Sequence, residues 1–196
     1  TYWDRFRNRI MFPLYNHFGK VIGFTGRVMP GNESADIGKY VNSPETPIFS
    51  KGKVLYGFFK TKNDIRSANA AVIVEGQMDF LMAYQDGIKN LVATSGTALT
   101  ADHLKLVRRL AENLTLSFDN DSAGRAAAER TIDLAEGNDF NVRVLAPQIN
   151  TNSQTNGLTQ ISELKDPADI VRESPGLFKK MVDAAVPAME YYFDYY

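Results

Sequence analysis

The sequence predicts an α/β fold (α+β overall): a parallel sheet flanked by helices, with a mixed β-rich basic part before it and the start of a helical part after it. Strand-like and helix-like stretches alternate between residues 71 and 147, whereas residues 29–57 are dense in Gly, Pro, Ser and Asn. Residues 1–66 hold 11 Lys and Arg against 5 Asp and Glu, and residues 67–196 hold 11 against 18. This imbalance indicates phosphate binding in one part and cation binding in the other, with solvated surface charge as the alternative.

The composition is that of an ordinary globular chain. Hydrophobic residues make up 44% and charged residues 23%, and no apolar run approaches the ~20 residues that span a bilayer. The absence of cysteine excludes a disulfide framework and a thiolate zinc site, and it fits a cytoplasmic location. His17 and His103 have no ligand-like companion, so we expect both at the surface or in turns. Because the first residue is Thr1 and no leader pattern follows, we expect a piece of a longer protein.

The first third is predicted to contain a hairpin followed by ordered loops. RIMFPLYNHFGKVIGFTGRV, residues 9–28, has two β-rich runs around a polar turn, and Pro13 places the first run at a sheet edge. Residues 29–57 are predicted to be mostly loop with short strands, a kind of segment that often carries function.

Strands and helices then alternate in the pattern of a two-sided parallel sheet with right-handed crossovers. Gly87 and Gly137 mark helix ends, and Thr100 is a plausible N-cap. A polar linker follows at residues 148–160. The predicted strands are 71–74, 91–93, 114–118 and 141–147, and the predicted helices are about 79–85, the stretch after Thr100 that carries Leu104, Val107 and Leu110, and about 123–136.

Two of these strands end in carboxylates. VIVEGQMD places Glu75 at the end of an apolar strand and Asp79 one helical turn farther on, and LTLSFDNDSAG presents Asp119 and Asp121 after the next-but-one strand. Ligands of open parallel sheets bind outside the carboxyl ends of the strands. Converging carboxylates repel one another unless cations neutralise them, and an all-oxygen ligand set favours Mg²⁺ or Mn²⁺. The alternatives are a capping or helix-dipole role for Asp79 and a turn for Asp-x-Asp.

These motifs resemble a known family. Glu75-Gly76-Gln77-Met78-Asp79 and Asp119-Asn120-Asp121-Ser122-Ala123-Gly124 look like the signature of the Toprim fold, which bacterial primases, topoisomerases and certain nucleases share. The segments RFRNRIMFPLYN, GKVIGFTGRV, KYVNSPETPIFSKGKVLYG and TSGTALTADHLKL are similar, in order and spacing, to the RNA polymerase core of bacterial DnaG-type primases. The resemblance covers nearly all of residues 5–172. It favours a primase because other Toprim enzymes are not expected to carry the NSPET…KG…LYG segment.

The resemblance implies a DNA-dependent RNA polymerase that makes short RNA primers by metal-assisted nucleotidyl transfer. Glu75, Asp119 and Asp121 would be catalytic, with Asp119 shared between two Mg²⁺ or Mn²⁺ ions, and Glu75 is also a candidate general base. Asp79 and Asp166 would complete the acidic cluster, and no zinc is expected in this part of the protein. An N-cap role before a proline is the alternative for Asp166.

The sequence departs from the family pattern after Asp166. Ala168 stands where the family usually has a second acid, and Asp169 follows one residue later, so the participation of Asp169 is in doubt.

The same resemblance gives the basic part a role. Arg27, Lys39 and Lys51 match positions that line the family's groove for template and incoming nucleotide, and Asn42 and Tyr40 are candidates for nucleotide contacts. Arg5, Arg7 and Arg9 alternate along an extended segment, which predicts either one basic face or an ordinary solvated strand face. We expect Trp3 and the terminal YYFDYY to belong to a helix surface that is exposed by truncation or that faces the core. We do not expect them to stack on nucleic-acid bases.

The expected organisation is a truncated basic N-terminal subdomain at 1–66, a Toprim domain with its linker and KDPAD motif at 67–172, and the start of a C-terminal helical subdomain at 173–196. Expected partners are single-stranded DNA, ribonucleoside triphosphates, the RNA–DNA heteroduplex and, through a domain absent from this chain, the replicative helicase. We expect a monomer that acts in the cytoplasm, in the bacterial replisome, without a membrane partner. Another Toprim enzyme, either a topoisomerase or a nuclease, and a non-catalytic nucleic-acid-binding module are the alternatives.

Overall fold

The computed structural model describes residues 3–32, 37–117, 122–145 and 166–193. Within them the chain forms a small sheet of its first three strands, in chain order, and a large sheet of the next five, which lie in the order fifth, fourth, sixth, seventh and eighth. Asp119, Asp121 and the predicted linker at 148–160 lie outside the described residues.

The small sheet is built on the predicted hairpin, which the structure confirms. Strands β1 (Arg9–Tyr15) and β2 (Val21–Val28) are antiparallel, and β3 (Tyr40–Asn42) pairs with the other side of β2. The turn between β1 and β2 is closed by the side chain of Asn16, whose Oδ1 accepts the main-chain N–H groups of Phe18 and Lys20, both at 3.0 Å. Strand β1 pairs with β2 alone and is therefore an edge strand, as Pro13 predicts.

The large sheet contains the four predicted parallel strands. These are β4 (Ala70–Val74), β5 (Leu91–Ala93), β6 (Asn113–Leu116) and β7 (Asn141–Val144). The helices between them are α2 (Gln77–Gln85), α3 (Ala101–Arg108) and α4 (Ser122–Glu136). Helix α2 begins two residues before its predicted start because Gly76 is its N-cap. The two-sided parallel architecture is confirmed.

Both faces of the large sheet are buried, which explains its continuous apolar strands. Alternate residues of β4 enter different clusters: Ala71 and Ile73 pack with residues of α3 and α4, whereas Val72 and Val74 pack with residues of α2. Each face thus has its own core, and Glu75 follows β4 directly at the carboxyl end of the sheet.

Helix α1 (Phe58–Ala68) has no counterpart among the predicted elements. It spans residue 66, where the sequence predicted a boundary, and packs against β4 and β5. Gly57 is its N-cap at φ +83°, and a Cβ at this position would overlap the ring of Phe80. The helix therefore joins the basic part of the chain to the large sheet.

The last described segment is helical, as predicted, and also completes the large sheet. It contains α5 (Pro167–Glu173), α6 (Leu177–Asp183), β8 (Val186–Pro187) and α7 (Ala188–Phe193). Strand β8, which was not predicted, pairs antiparallel with β7. Tyr191 joins the core, in agreement with the expected core-facing role of the terminal aromatic residues, whereas Phe193 is exposed.

The expectation for one histidine is wrong. His103 is 0% exposed because both of its ring nitrogens lie at hydrogen-bond distance from the main chain, whereas His17 is exposed as expected. No helix in the described part of the chain has the length and apolar character that crossing a membrane requires.

Candidate functional site

A cleft of about 670 Å³ lies between the small sheet and the carboxyl end of β4. Every predicted site residue that the structure describes lines it. We call Arg27, Lys39 and Lys51 the basic wall, and Glu75, Asp79 and Asp166 the acidic edge. Asn42, Tyr40, Gln77, Ser95, Gly96 and Asp169 also line the cleft. The two remaining predicted ligands, Asp119 and Asp121, lie outside the described residues.

The main chain of Glu75 is held by the loop after β5. Its carbonyl accepts the N–H groups of Ser95 at 2.9 Å and Gly96 at 3.4 Å, and the hydroxyl of Thr94 lies at 3.4 Å. Ser95 and Gly96 both have positive φ, at +62° and +70°, which turns their N–H groups toward the same oxygen. Two adjacent strand ends therefore hold each other, and Glu75 is fixed where β4 ends.

Asp79 caps helix α2 and links it to α5. Its Oδ2 accepts the N–H of Gly76 at 2.9 Å, and its Oδ1 accepts the N–H of Ala168 at 3.3 Å. A Cβ on Gly76 would stand 2.8 Å from Oδ2, so glycine leaves room for the carboxylate. Asp79 is therefore not the N-cap that the sequence offered as an alternative: it caps α2 from the third helical position by accepting from the N-cap Gly76, and it also lines the cleft.

The pKa of Asp79 is raised to about 6, chiefly by burial and then by the nearby charges of Asp166 and Glu75, against the lowering effect of its two hydrogen bonds from main-chain N–H groups. The side chain is 8% exposed. The charges of Asp166 and Glu75 thus disfavour the ionised form of Asp79, which is a situation that a bound cation relieves.

Asp166 is the N-cap of α5. Its Oδ1 accepts the N–H of Asp169 at 2.8 Å, and Pro167 occupies the first helical turn, so the capping role is confirmed here as well. Asp169 pairs with Arg172 at 2.8 Å. Ala168, at the position where the resemblance leads one to expect an acid, contributes its main-chain N–H to Asp79.

The donor set of the acidic edge fits a hard divalent cation. All of its side-chain donors are carboxylate oxygens, the ligands that Mg²⁺ and Mn²⁺ prefer. Among the described residues, however, no group of three Asp, Glu, His or Cys side chains could hold a metal ion. The three carboxylates of the acidic edge are therefore not such a group by themselves.

Arg27 and Tyr40 form the side of the cleft that belongs to the small sheet. They are cross-strand partners, and the guanidinium lies 5.8 Å from the centre of the Tyr40 ring and donates to its hydroxyl at 3.4 Å. Asn42 lies two residues along β3 and so faces the same side. An arginine plane beside a phenol ring suits contact with phosphate and with a flat base.

Two of the three alternating arginines brace the small sheet. Arg5 donates to the carbonyl of Asn42 at 2.9 Å, and Arg9 donates to the carbonyls of Gly26 at 3.1 Å and Gly38 at 2.9 Å. Their guanidinium groups thus hold β3, and the residue Gly38 that precedes it, against the hairpin. This is a structural role that neither sequence alternative described.

Lys51 lies where the basic wall meets the acidic edge. Its Nζ donates to the carbonyl of Gly96 at 2.8 Å, in the loop that also holds Glu75. Its own N–H donates to Glu45 Oε1 at 2.8 Å. The ammonium group of Lys51 is thus hydrogen-bonded to the loop after β5, and the same loop holds the main chain of Glu75.

Gln77 and Ser95 are among the cleft residues that sequence reasoning missed. Both are buried, and within the described residues Gln77 Nε2 and Ser95 Oγ have no hydrogen-bond partner. Gln77 stands inside the Glu-Gly-x-x-Asp motif and Ser95 just after β5, so the rule that ligands bind at strand ends was the signal that could have found them.

Two family models match the chain. The model of the N-terminal domain of the DNA primase catalytic core matches residues 1–62, and a Toprim-like model matches residues 72–158. The two models together include every residue of the basic wall and two members of the acidic edge, Glu75 and Asp79.

Curated and solved proteins agree with these models. A DNA primase of Clostridium acetobutylicum is 41% identical over 191 residues, which are 96% of this chain and 29% of that protein. A DNA primase domain from Pseudomonas aeruginosa, known from its crystal structure, is 37% identical with a TM-score of 0.79, over 97% of this chain and 56% of that one. A DnaG primase catalytic domain solved with bound single-stranded DNA is 37% identical with a TM-score of 0.78, over the same shares. The chain thus spans less than a third of the curated relative, and it belongs to the family of DnaG-type DNA primases, as part of their catalytic core.

Proposed function

We propose that this chain is part of a DNA-dependent RNA polymerase that makes short RNA primers from ribonucleoside triphosphates on single-stranded DNA. The observation that carries the proposal is the cleft in which the basic wall faces the acidic edge. A nucleotidyl transfer needs both: cations of the protein for the phosphates, and carboxylates that hold metal ions beside the reacting groups.

The basic wall binds and orients phosphate in this proposal. Arg27 offers two donors and a flat surface, and Lys39 and Lys51 offer ammonium charges, while Asn42 and Tyr40 contact the nucleotide. A related DnaG domain has been solved with bound single-stranded DNA, which supports single-stranded DNA as a ligand of this chain. An RNA–DNA heteroduplex would occupy the same cleft as the primer grows.

The acidic edge holds divalent cations in this proposal, together with Asp119 and Asp121, which follow β6 in the chain. Glu75 and Asp119 would hold one ion, Asp119 and Asp121 would hold another, and Asp79 and Asp166 would complete the cluster. The chemistry that Mg²⁺ or Mn²⁺ supplies when bound is activation of the attacking 3′-hydroxyl and neutralisation of charge on the leaving pyrophosphate. The main chain of Glu75 is fixed by the bonds to its carbonyl, and the carboxylate of Asp79 is held by the N–H of Gly76, which supports this role.

Further parts of the proposal concern the longer protein. We propose that it works as a cytoplasmic replication enzyme, as a monomer, and that it reaches the replicative helicase through a domain outside this chain. The bacterial relatives named DNA primase support this setting.

Replacing Asp119 separates chemistry from binding. In a protein that contains the whole polymerase core, we expect Asp119→Asn to abolish template-directed incorporation of labelled ribonucleotides and to leave affinity for single-stranded DNA largely intact. Asn keeps the volume but removes the charge that two cations would share, whereas binding rests on Lys and Arg.

The matched control is Asp183→Asn. It removes an exposed carboxylate that pairs with Lys179, and neither residue lines the cleft. Near-normal primer synthesis by Asp119→Asn would contradict the proposal. Relaxation of supercoiled DNA or nuclease activity by the parent protein, measured in parallel, would favour the other Toprim enzymes instead.

A further inference from the structure

The 3₁₀ turn that carries Lys51 is held mainly by another part of the chain. It spans only Lys51–Lys53, and its N-cap, Ser50, makes no side-chain capping bond. So short a 3₁₀ turn has few internal hydrogen bonds of poor geometry. Helix α3 packs against it and supplies two contacts from its first turn: the hydroxyl of Thr100 donates to the carbonyl of Gly52 at 2.7 Å, and His103 Nε2 lies 3.2 Å from the carbonyl oxygen of Lys51.

His103 uses both ring nitrogens. Its Nδ1 accepts the N–H of Thr100 at 3.3 Å, and its own N–H donates to the Thr100 hydroxyl at 3.1 Å, which together cap the start of α3. A neutral imidazole whose Nδ1 accepts carries its proton on Nε2, so Nε2 donates to Lys51. One nitrogen therefore caps the helix and the other holds a residue 52 positions away.

The main chain of Lys51 is thus fixed on both sides. Its N–H donates to Glu45 and its carbonyl accepts from His103. From that anchored position the side chain reaches Gly96, whose N–H donates to Glu75. A continuous series of hydrogen bonds therefore runs from α3 through Lys51 to the acidic edge.

We propose that His103 is a positioning residue for phosphate binding in the cleft: by holding the carbonyl of Lys51, it keeps the lysine ammonium group at the acidic edge. This inference rests on the proposed function, because contact between Lys51 and phosphate belongs to it. His103 itself touches no substrate in this account.

Two substitutions separate the tasks of the imidazole. His103→Asn keeps an acceptor near the position of Nδ1 for the N–H of Thr100 but has no atom that reaches Lys51. His103→Gln extends an N–H donor toward the position of Nε2 and restores the bond to Lys51. His17→Asn is the matched control, because it makes the same replacement at an exposed histidine.

The measurement is the affinity of each variant of this chain for a single-stranded oligothymidine across a salt series, with thermal melting as the check of folding. We expect Lys51→Ala to weaken binding about tenfold and to lower the salt slope by about 0.7, the value for one phosphate contact on a single strand. His103→Asn should weaken binding about threefold or more and also lower the slope, His103→Gln should recover most of the loss, and His17→Asn should change nothing.

The decisive comparison is a double-mutant cycle. In the Lys51→Ala background, His103→Asn should cause no further loss, because the two residues act through one ammonium group. An equal loss in both backgrounds would overturn the inference and leave the proposed function standing. If Lys51→Ala itself binds like the parent, the phosphate contact of Lys51 falls, and the inference falls with it. Should His103→Asn fail to fold, a folded His103→Gln that binds as weakly as Lys51→Ala would overturn the inference, and one that binds like the parent would support it.

Discussion

At the scale of single residues, the chain gives its polar side chains structural and functional positions at once. Asp79 caps α2 and lines the cleft, and Asp166 caps α5 and lines the same cleft. The sequence predicted both readings as alternatives, and the structure shows that the capping role and the place in the cleft are compatible. His103 was misjudged because its partners are main-chain groups of a distant segment, which no local pattern reveals.

The stability of the protein should depend on the protonation of His103. Burial lowers the pKa of His103 below the ordinary 6.5, because the charged ring is excluded from water, and this outweighs the hydrogen bond to the Lys51 carbonyl, which favours the charged form. The folded state therefore binds the proton less well than the unfolded state. The stabilisation is fully present above pH 6.5 and is lost as the pH falls toward the lowered folded pKa.

The difference between the parent and His103→Gln isolates this effect. The raised pKa of Asp79, about 6, has the opposite sign: its stabilisation is present below pH 3.8 and is lost as the pH rises through about 6. Asp79 is common to both proteins and cancels. Urea unfolding between pH 7.5 and 5 should show the parent losing more stability than His103→Gln, whereas parallel curves would contradict the role of the imidazole.

At the scale of elements, the pattern of hydrophobic residues predicted the parallel strands and the helices between them, because burial of apolar residues determines where these elements form. The four parallel strands and the three helices between them have apolar runs and flanking glycines that local patterns capture. Helix α1 was missed because Phe58, Thr61 and Ile65 are its only buried residues and its first cap, Gly57, resembles a loop residue. Strand β8 has two residues and exists only because β7 offers an edge, so no local signal could have predicted it.

Two glycines test how tightly α1 is docked. Gly57 and Gly176 are both helix N-caps with φ of +83°, but a Cβ on Gly57 would overlap the Phe80 ring, whereas a Cβ on Gly176 would meet nothing within 4 Å. We expect Gly176→Ala to lower the free energy of unfolding by about 1–2 kcal/mol through backbone strain alone. Gly57→Ala should lower it by a further ~1–3 kcal/mol, because a close-packed ring must move. If chemical denaturation gives the same loss of unfolding free energy for both variants, the Phe80 ring moves aside without an energetic penalty.

At the scale of the whole molecule, two parts of opposite charge meet at one cleft. The basic surplus before residue 67 and the acidic surplus after it predict phosphate and cation binding, and the basic wall and the acidic edge line the same cavity. Strand ends and motif spacing, which are local features, predicted that Glu75 and Asp79 share one edge of the sheet. The basic wall and Asp166 were predicted only from the family resemblance. The sequence could not predict that the 3₁₀ turn of Lys51 would be anchored on α3, since that contact is made across the two parts.

Divalent cations should stabilise the chain. The acidic edge gains neutralisation that an unfolded chain does not offer equally, and at a concentration of about 100 times Kd the gain is about 2.7 kcal/mol. We expect Mn²⁺ to raise the melting temperature and to bind saturably in isothermal titration. Glu75→Gln should reduce both effects, and Asp183→Asn should leave them unchanged. An unshifted melting temperature with no saturable binding would contradict the proposed cation site.

The two ends of the large sheet have a consequence for how the protein behaves in a crowded solution. At one end, Tyr56 exchanges main-chain hydrogen bonds with Ala93 of β5, at 2.8 and 3.1 Å. At the other, β8 covers β7 and includes Pro187, which has no N–H to offer. A strand from another molecule would find Ala93 already hydrogen-bonded to Tyr56 at one end of the sheet. At the other end it would find Pro187, which cannot donate a main-chain hydrogen bond. The chain can keep strands as apolar as AAVIV in its centre because its ends are poor templates for edge-to-edge aggregation.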